Sequence, residues 1–314
     1  MTAIRRPLSG CVLNLSISES DDNEGLGFPS WQVNRMTLQV VAALFGQGAG
    51  LVFGHDWRED GVMEAVYGFA RQMQSPIPLS DVDAATEAQP LLRNLLPWPE
   101  RPFLPAEQLE QLNSTLRVEP VGLPNELRAS AEEALLGSPD NDLFRYIRAR
   151  GLTFLRHRLN DVCDARLCIG GRRTGAVGRY PGVIEEALFA IRGGKPLYLA
   201  GLLGGATAQI IDAIEGRPMP EDFCHPTSLL DIYHKPPVDE LDEGTRDDRV
   251  IAREAVWKEF AEAGRTQLAR LSGLKADEID FLLHTPVIDQ VIELVLIGLS
   301  RLCKSDAKGK ETEE

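Results

Sequence analysis

Aliphatic runs and helical periodicities alternate along the first 215 residues. Val12-Leu13-Asn14-Leu15-Ser16-Ile17-Ser18 is short and mostly aliphatic, the pattern of a buried strand. An acidic loop from Glu19 to Gly25 follows it. Between Trp31 and Gln47, Val33, Met36, Thr37, Val40, Val41 and Leu44 recur on one helical face, and Gly48 and Gly50 close the segment. Leu51-Val52-Phe53-Gly54 predicts a second strand running into His55-Asp56, and Val62 to Met73 a second helix. The proline-rich stretch from Ser75 to Asn113, with Trp98 in its middle, is too apolar for a linker and predicts an irregular insertion packed on the surface. Leu116 to Val121 alternates as a third strand does. Leu143 to Asp161 is helical, with Phe144, Ile147, Leu152, Leu155 and Leu159 apolar among arginines.

The pattern is densest in glycine from Ala165 to Gly205. Leu167-Cys168-Ile169 breaks into Gly170-Gly171, and a basic segment carries Arg172, Arg173 and Arg179. Pro181-Gly182 then opens a helix with Glu185 and Glu186 in its first turn, closed by Gly193-Gly194. Pro196 to Leu199 is a further strand, leading into Gly201, Gly204 and Gly205 and a helix over Ala206 to Glu215. Helical patterns return at Val250–Ser272 and Thr285–Leu302, the last strongly amphipathic, after a loop-like stretch and the acidic run Asp239 to Asp248. This repeated strand–loop–helix order predicts an α/β fold, a doubly wound parallel sheet with a C-terminal helical extension.

Charge and cysteine usage narrow the function classes. The chain has 33 basic and 47 acidic residues, net −14, which argues against a broad nucleic-acid surface while allowing a local basic pocket. Cys11, Cys163, Cys168, Cys224 and Cys303 are odd in number, scattered and without a CxxC pair, as expected of buried thiols in a reducing cytoplasm. No signal peptide or membrane span is expected. His157, His225, His234 and His284 are dispersed, so no metal is expected. The acidic loop lacks the acid a calcium loop needs, since the twelfth position counted from Asp21 is Gln32. Neither a GxSxG elbow nor a GxGxxG fingerprint after the first strand is present, which excludes the simplest hydrolase and dehydrogenase readings.

Glycine loops after parallel strands expose backbone N–H groups and a helix N-terminus at the carboxyl edge of the sheet, an arrangement suited to phosphate. The candidate ligand contacts are accordingly Ser18 and Glu19 after the first strand, and Gly54, His55 and Asp56 after the second. Gly170, Gly171, Arg172, Arg173, Gly182 and Glu185 follow the central strand, and Gly204 and Gly205 the last. The arginines read either as solvated loop charges or as bidentate phosphate contacts. Adjacent acids lie ~100° apart on a helix, so only one of Glu185 and Glu186 can face a pocket squarely.

Strand, Gly-Gly, then Gly-x-x-Glu-Glu opening a helix resembles the SLOG superfamily, which includes the Lonely Guy phosphoribohydrolases and the DNA-processing protein A fold. The Lonely Guy pattern, Pro-Gly-Gly-x-Gly-Thr-x-x-Glu, is matched by Gly170-Gly171 and by Gly182 to Glu186, split by the insertion Arg172 to Pro181, with Ile169 for the proline and Val183 for the threonine. The prokaryotic defence and signalling members look nearest. The resemblance implies a SLOG-like nucleotide-binding domain over residues 1–237, with the insertion near 75–113. A helical extension over 238–305, packed on that domain or in a homo-oligomer interface, and a disordered tail over 306–314 complete the chain. It further implies a nucleotide-derived partner, ADP-ribose-like, bound without a separate cofactor and sensed in stress or antiphage signalling. The alternative it implies is nucleotide N-glycosidic cleavage, with Glu186 and Arg156 (or Arg158) as catalytic residues. A third reading is an oligomeric scaffold built on the C-terminal helices.

Overall fold

The computed structural model describes residues 6–54, 62–73, 92–100, 105–113, 115–224 and 253–311. Six strands form one sheet: β1 (Val12–Ser18), β2 (Gly50–Gly54), β3 (Leu92–Pro97), β4 (Leu116–Val121), β5 (Ala165–Gly170) and β6 (Leu197–Ala200). Their order is β4-β3-β2-β1-β5-β6, and every neighbouring pair is parallel. The chain winds outward from β1 to β4, returns through α5 (Asp142–Val162), and places β5 on the other flank of β1. The strand order therefore reverses between β1 and β5, where open α/β sheets carry their ligand crevice. Leu13 faces Ala165 and Ser18 faces Gly170 across that junction, so the two strands end level.

Both faces of the sheet are covered over its central strands, which explains why β2 and β5 read as aliphatic runs, whereas β4, at the edge and partly exposed, alternates. In β2, Leu51 and Phe53 join the cluster that contains Val40, Leu44 and Met63 of α1 (Ser30–Gly46) and α2 (Val62–Met73). Val52, between them, packs with Leu155 and Leu159 of α5. Polar exceptions inside the sheet are hydrogen-bonded: the side chain of Asn14 donates to the carbonyl of Val52 at 3.0 Å.

The elements expected from periodicity appear within a few residues of their predicted ends, except that the last helix runs on to Glu311, past its expected end at Leu302. The stretch expected to be irregular differs. It contributes β3, paired to β2 and β4, and a short helix α3 (Ala106–Leu112). Strand β3 is LRNLLP, six residues between prolines and turns, and its proline stands at the strand end, where a missing N–H is tolerated. Helix α4 (Arg128–Leu136) also has no counterpart among the expected elements; it is polar on most sides, with only Ala131 and Ala134 buried.

After β5 come α6 (Gly182–Arg192), β6 and α7 (Gly205–Ile214), then α8 (Arg253–Ser272), α9 (Ala276–His284) and α10 (Ile288–Glu311). Helix α9 is not among the elements that periodicity predicts. Helix α8 packs on α6, α7 and β6, α9 on β6, and α10 on α1. Val256, Phe260, Leu282, Val291 and Leu299 lie in the same buried cluster as the sheet. The phenol of Tyr198 in β6 donates to the carbonyl of Ser272 at 2.8 Å, tying the end of α8 to the sheet. No helix among the described residues is long and apolar enough to cross a membrane.

Candidate functional site

A cleft of about 370 Å³ opens at the carboxyl edge where β1 and β5 part. Its floor is the end of β1, from Leu15 to Glu19, with Phe53 and Gly54 of β2 beside it. Gly171, Gly182 and Val183 form the wall on the α6 side, and α5 contributes Arg148, Leu152 and Arg156. The inserted loop between the two halves of the glycine motif closes the remaining side with Arg172 and Thr174 to Val177.

Gly171 makes the strand-to-helix passage possible. Its φ is +90°, and a Cβ there would lie 2.5 Å from Cγ2 of Val183. The chain can then reach α6, whose N-cap is Pro181 and whose first turn has no side-chain cap. Its N-terminal N–H groups remain available to an anion. Arg156 lies against this helix end: a Cβ on Gly182 would stand 2.9 Å from its Nη2, and one on Gly178 2.5 Å from its Nη1. Two glycines thus give the guanidinium close access to the cradle.

The two adjacent glutamates divide as helix geometry requires. Glu186 lines the cleft. Its Oε2 accepts from Nη1 of Arg166 at 2.7 Å and from the Ser16 hydroxyl, while Oε1 lies 3.9 Å from Nε of Arg156. Glu185 turns the other way and is wholly buried. It accepts from Thr153 Oγ1 at 2.9 Å, from Arg179 Nη2 at 3.1 Å and from Arg156 Nη1. Arg156 therefore reaches the cleft while anchored from behind by a buried carboxylate. Arg166, a residue of β5, is fully buried beneath the floor, with Nη1 also donating to Ser16 at 3.1 Å.

Of the residues expected to contact a ligand, Ser18, Glu19, Gly54, Gly171, Arg172 and Gly182 line the cleft together with Arg156 and Glu186. The others do not. Glu185 is spent on the buried arginines, and Gly170 lies beneath the turn, its carbonyl accepting from Thr207 at 2.8 Å. Arg173 is turned to Asp21, Asp22 and Asp222. Gly204 and Gly205 sit at the start of α7, covered by Asp22. Arg179 is buried on Glu185, and Arg158 pairs with Asp161 away from the cleft. His55 and Asp56 lie outside the described residues. Sequence reasoning missed Ser16, Arg148, Arg166 and Thr174. The aliphatic run of β1 and the apolar positions among the arginines of α5 gave the elements, but which faces met the crevice depended on strand order.

Nucleophilic thiol chemistry has no candidate near the cleft. Cys168 is fully buried, and burial pushes its thiol up to about 12; Cys11, Cys163 and Cys224 are likewise buried and raised by desolvation. Among the described residues, Glu215, Asp280 and His284 alone cluster closely enough to hold a metal ion. Glu215, however, already binds Arg265, His284 and Arg217, the last at 2.6 Å, and Arg265 also pairs with Asp280 at 3.1 Å. Two guanidinium groups among three ligands repel a cation, so this is an ion-pair network joining α7, α8 and α9.

A parallel sheet of this order, with a cleft and a helix N-terminus lacking a side-chain cap at its switch point, defines a Rossmann-like α/β protein. The family model described as SLOG cluster2 matches residues 7–282, and the chain belongs to that family. No curated protein and no solved structure matches it with significance.

Proposed function

We propose that the chain binds a nucleotide or nucleotide-derived molecule in the cleft between β1 and β5 and serves as a sensor of it, in the manner of the prokaryotic signalling members of its family. One observation carries the reading. Arg156 lies against the N-terminus of α6, which has no side-chain cap, and both line a cleft to which Phe53, Val62 and Leu152 add apolar surface. That is a phosphate seat beside a surface for a base. Ligand-dependent melting tests it. AMP, ADP-ribose and NAD are each added to the full chain; a ligand at one hundred times its dissociation constant contributes about 2.7 kcal/mol and raises the melting temperature by several degrees. Arg156→Met should abolish the shift. No shift with any nucleotide refutes the reading.

Glu186 favours a second reading, cleavage of an N-glycosidic bond. Its Oε1 faces the cleft within 3.9 Å of Arg156 Nε, and a carboxylate so placed can stabilise an oxocarbenium-like transition state. Free base detected by chromatography, and lost in Glu186→Gln, decides for the enzyme. Intact nucleotide after long incubation with a binding-competent protein decides for the sensor.

A further inference from the structure

The fold builds two strand–glycine–helix passages side by side, and they meet at Gly171. A Cβ at this position would abut Val183 in the first turn of α6 on one side; on the other it would stand 3.3 Å from Cβ of Ala206 in the first turn of α7. The Gly171 carbonyl accepts from the Ala206 N–H at 2.8 Å, so the two helix ends are locked to one residue. They are not in the same state. The start of α6 opens into the cleft without a side-chain cap, whereas the start of α7 already holds an anion that belongs to the protein.

That anion is the carboxylate of Asp22. Its Oδ2 accepts from the Gly205 N–H at 2.8 Å. A Cβ on Gly204 would lie 2.7 Å from the same oxygen, so the carboxylate rests directly on the glycine backbone. Its Oδ1 accepts from Nη2 of Arg173 at 2.8 Å. Arg173 in turn receives Asp21, whose Oδ2 accepts its backbone N–H at 2.7 Å, and Asp222, whose Oδ2 is 3.4 Å from its Nε. The Ser20 hydroxyl, bound to the Leu203 carbonyl, also accepts the Asp22 N–H at 3.1 Å and pins the loop in place. A helix N-terminus, a glycine turn and an arginine therefore surround a carboxylate in the way such groups surround a phosphate.

We propose that Asp22 is the specificity-determining residue of the cleft. It stands where the second phosphate of a diphosphate bridging the two helix ends would sit, and so restricts the ligand to one phosphate group, seated at α6. This rests on the nucleotide reading and narrows it to mononucleotides and their single-phosphate derivatives, against molecules that lay a pyrophosphate across both helices. The volume agrees: about 370 Å³ lies at the small end of the roughly 300–1,000 Å³ typical of ligand sites.

The test uses inorganic phosphate and pyrophosphate as probes, so that its result does not depend on recognition of a base. Calorimetric titration of the full-length protein should show pyrophosphate binding no more tightly than phosphate, despite its greater charge. Asp22→Asn keeps a side-chain acceptor for the start of α7 and removes the charge. Asp22→Ala removes both. Either should improve pyrophosphate relative to phosphate by about tenfold or more, since a like charge at contact costs several kcal/mol. AMP and ADP, titrated in parallel, should follow the same ratio. A wild-type protein that prefers pyrophosphate by about tenfold overturns the proposal even if neither variant folds. So does an unchanged ratio in a folded Asp22→Asn protein. Pyrophosphate gained by the variants with no response to AMP or ADP upholds the role of Asp22 and overturns the nucleotide reading instead.

Discussion

Glu185→Ala is the most severe perturbation of the site's frame, because it separates the buried glutamate from its neighbour in the cleft. The Glu185 side chain has no exposure, that of Arg179 2 % and that of Arg156 11 %. Its two oxygens take donors from Thr153, Arg156 and Arg179. Truncation strips the carboxylate from a nearly dry Arg179 and from the root of Arg156. Removing one partner of a buried pair in this way costs ~3–5 kcal/mol. Contacts of the Arg179 guanidinium with the rings of Tyr180 and Phe189, at 5.1 and 5.9 Å, survive the change but carry no negative charge. With a slope of about 3 kcal/mol per molar urea, the unfolding midpoint should fall by about 1–1.7 M. Combining Glu185→Ala with Arg179→Met removes the stranded charge and should recover about 1–3 kcal/mol of the loss. A single-mutant loss below about 1 kcal/mol, the range of exposed pairs, refutes the role of Glu185 as a buried anchor.

Two further changes probe the frame of the site and the C-terminal helices in turn. Gly171→Ala forces a side chain into φ +90° and to within 2.5 Å of Val183, so thermal unfolding should report a loss of about 2 kcal/mol or more, with α6 displaced. Acid titration probes the join between α9 and α10. Hydrogen bonds from Arg301, at 2.9 Å to Oε1, and from the Lys275 N–H, at 2.8 Å to Oε2, hold the Glu278 carboxyl down from its ordinary 4.5 to about 2. A depressed carboxyl contributes stability that is present above 4.5 and is lost as the pH falls toward 2. Glu278→Gln should therefore flatten the stability curve inside that window and leave its shape above pH 5 unchanged.

Much of the fold was legible because it rests on local signals. Doubly buried strands such as β5, with Leu167-Cys168-Ile169 at its centre, leave unbroken aliphatic runs, and Gly170-Gly171 marks where β5 must turn. Strand β3 escaped because prolines flank and end it, and only its partners β2 and β4 make Leu92–Pro97 a strand. The site was legible to the extent that it follows chain order. The ends of β1 and β2, Gly171, Gly182 and Glu186 fall where a switch-point crevice needs them. What misled was charge. Arg173 and Arg179 read as phosphate contacts by position, yet each is bound to a carboxylate of the protein: Asp22 from the loop after β1, and Glu185 from the first turn of α6. Such pairings join residues six to about 150 positions apart, and no spacing rule announces them.

The same pairing gives Gly182 a role that stability measurements alone would miss. Arg156 is held at one end by Glu185 and lies with Nη2 against the backbone of Gly182. The φ of Gly182 lies outside the left-handed region, and the residue is helical, so alanine fits the backbone and should stabilise the chain by about 0.4–1 kcal/mol through the unfolded state. The new methyl group meets the Arg156 guanidinium at 2.9 Å from Nη2, and because Nη1 of that group is tied to the buried Glu185, displacing it offsets the backbone gain. Its movement withdraws the guanidinium from the N-terminus of α6. Gly182→Ala is therefore expected to stay within about 1 kcal/mol of the wild type in stability while its affinity for phosphate falls by about tenfold, the loss of one charge-assisted contact. A protein that is equally stable and binds phosphate as well as the wild type would show that Arg156 does not complete the anion seat.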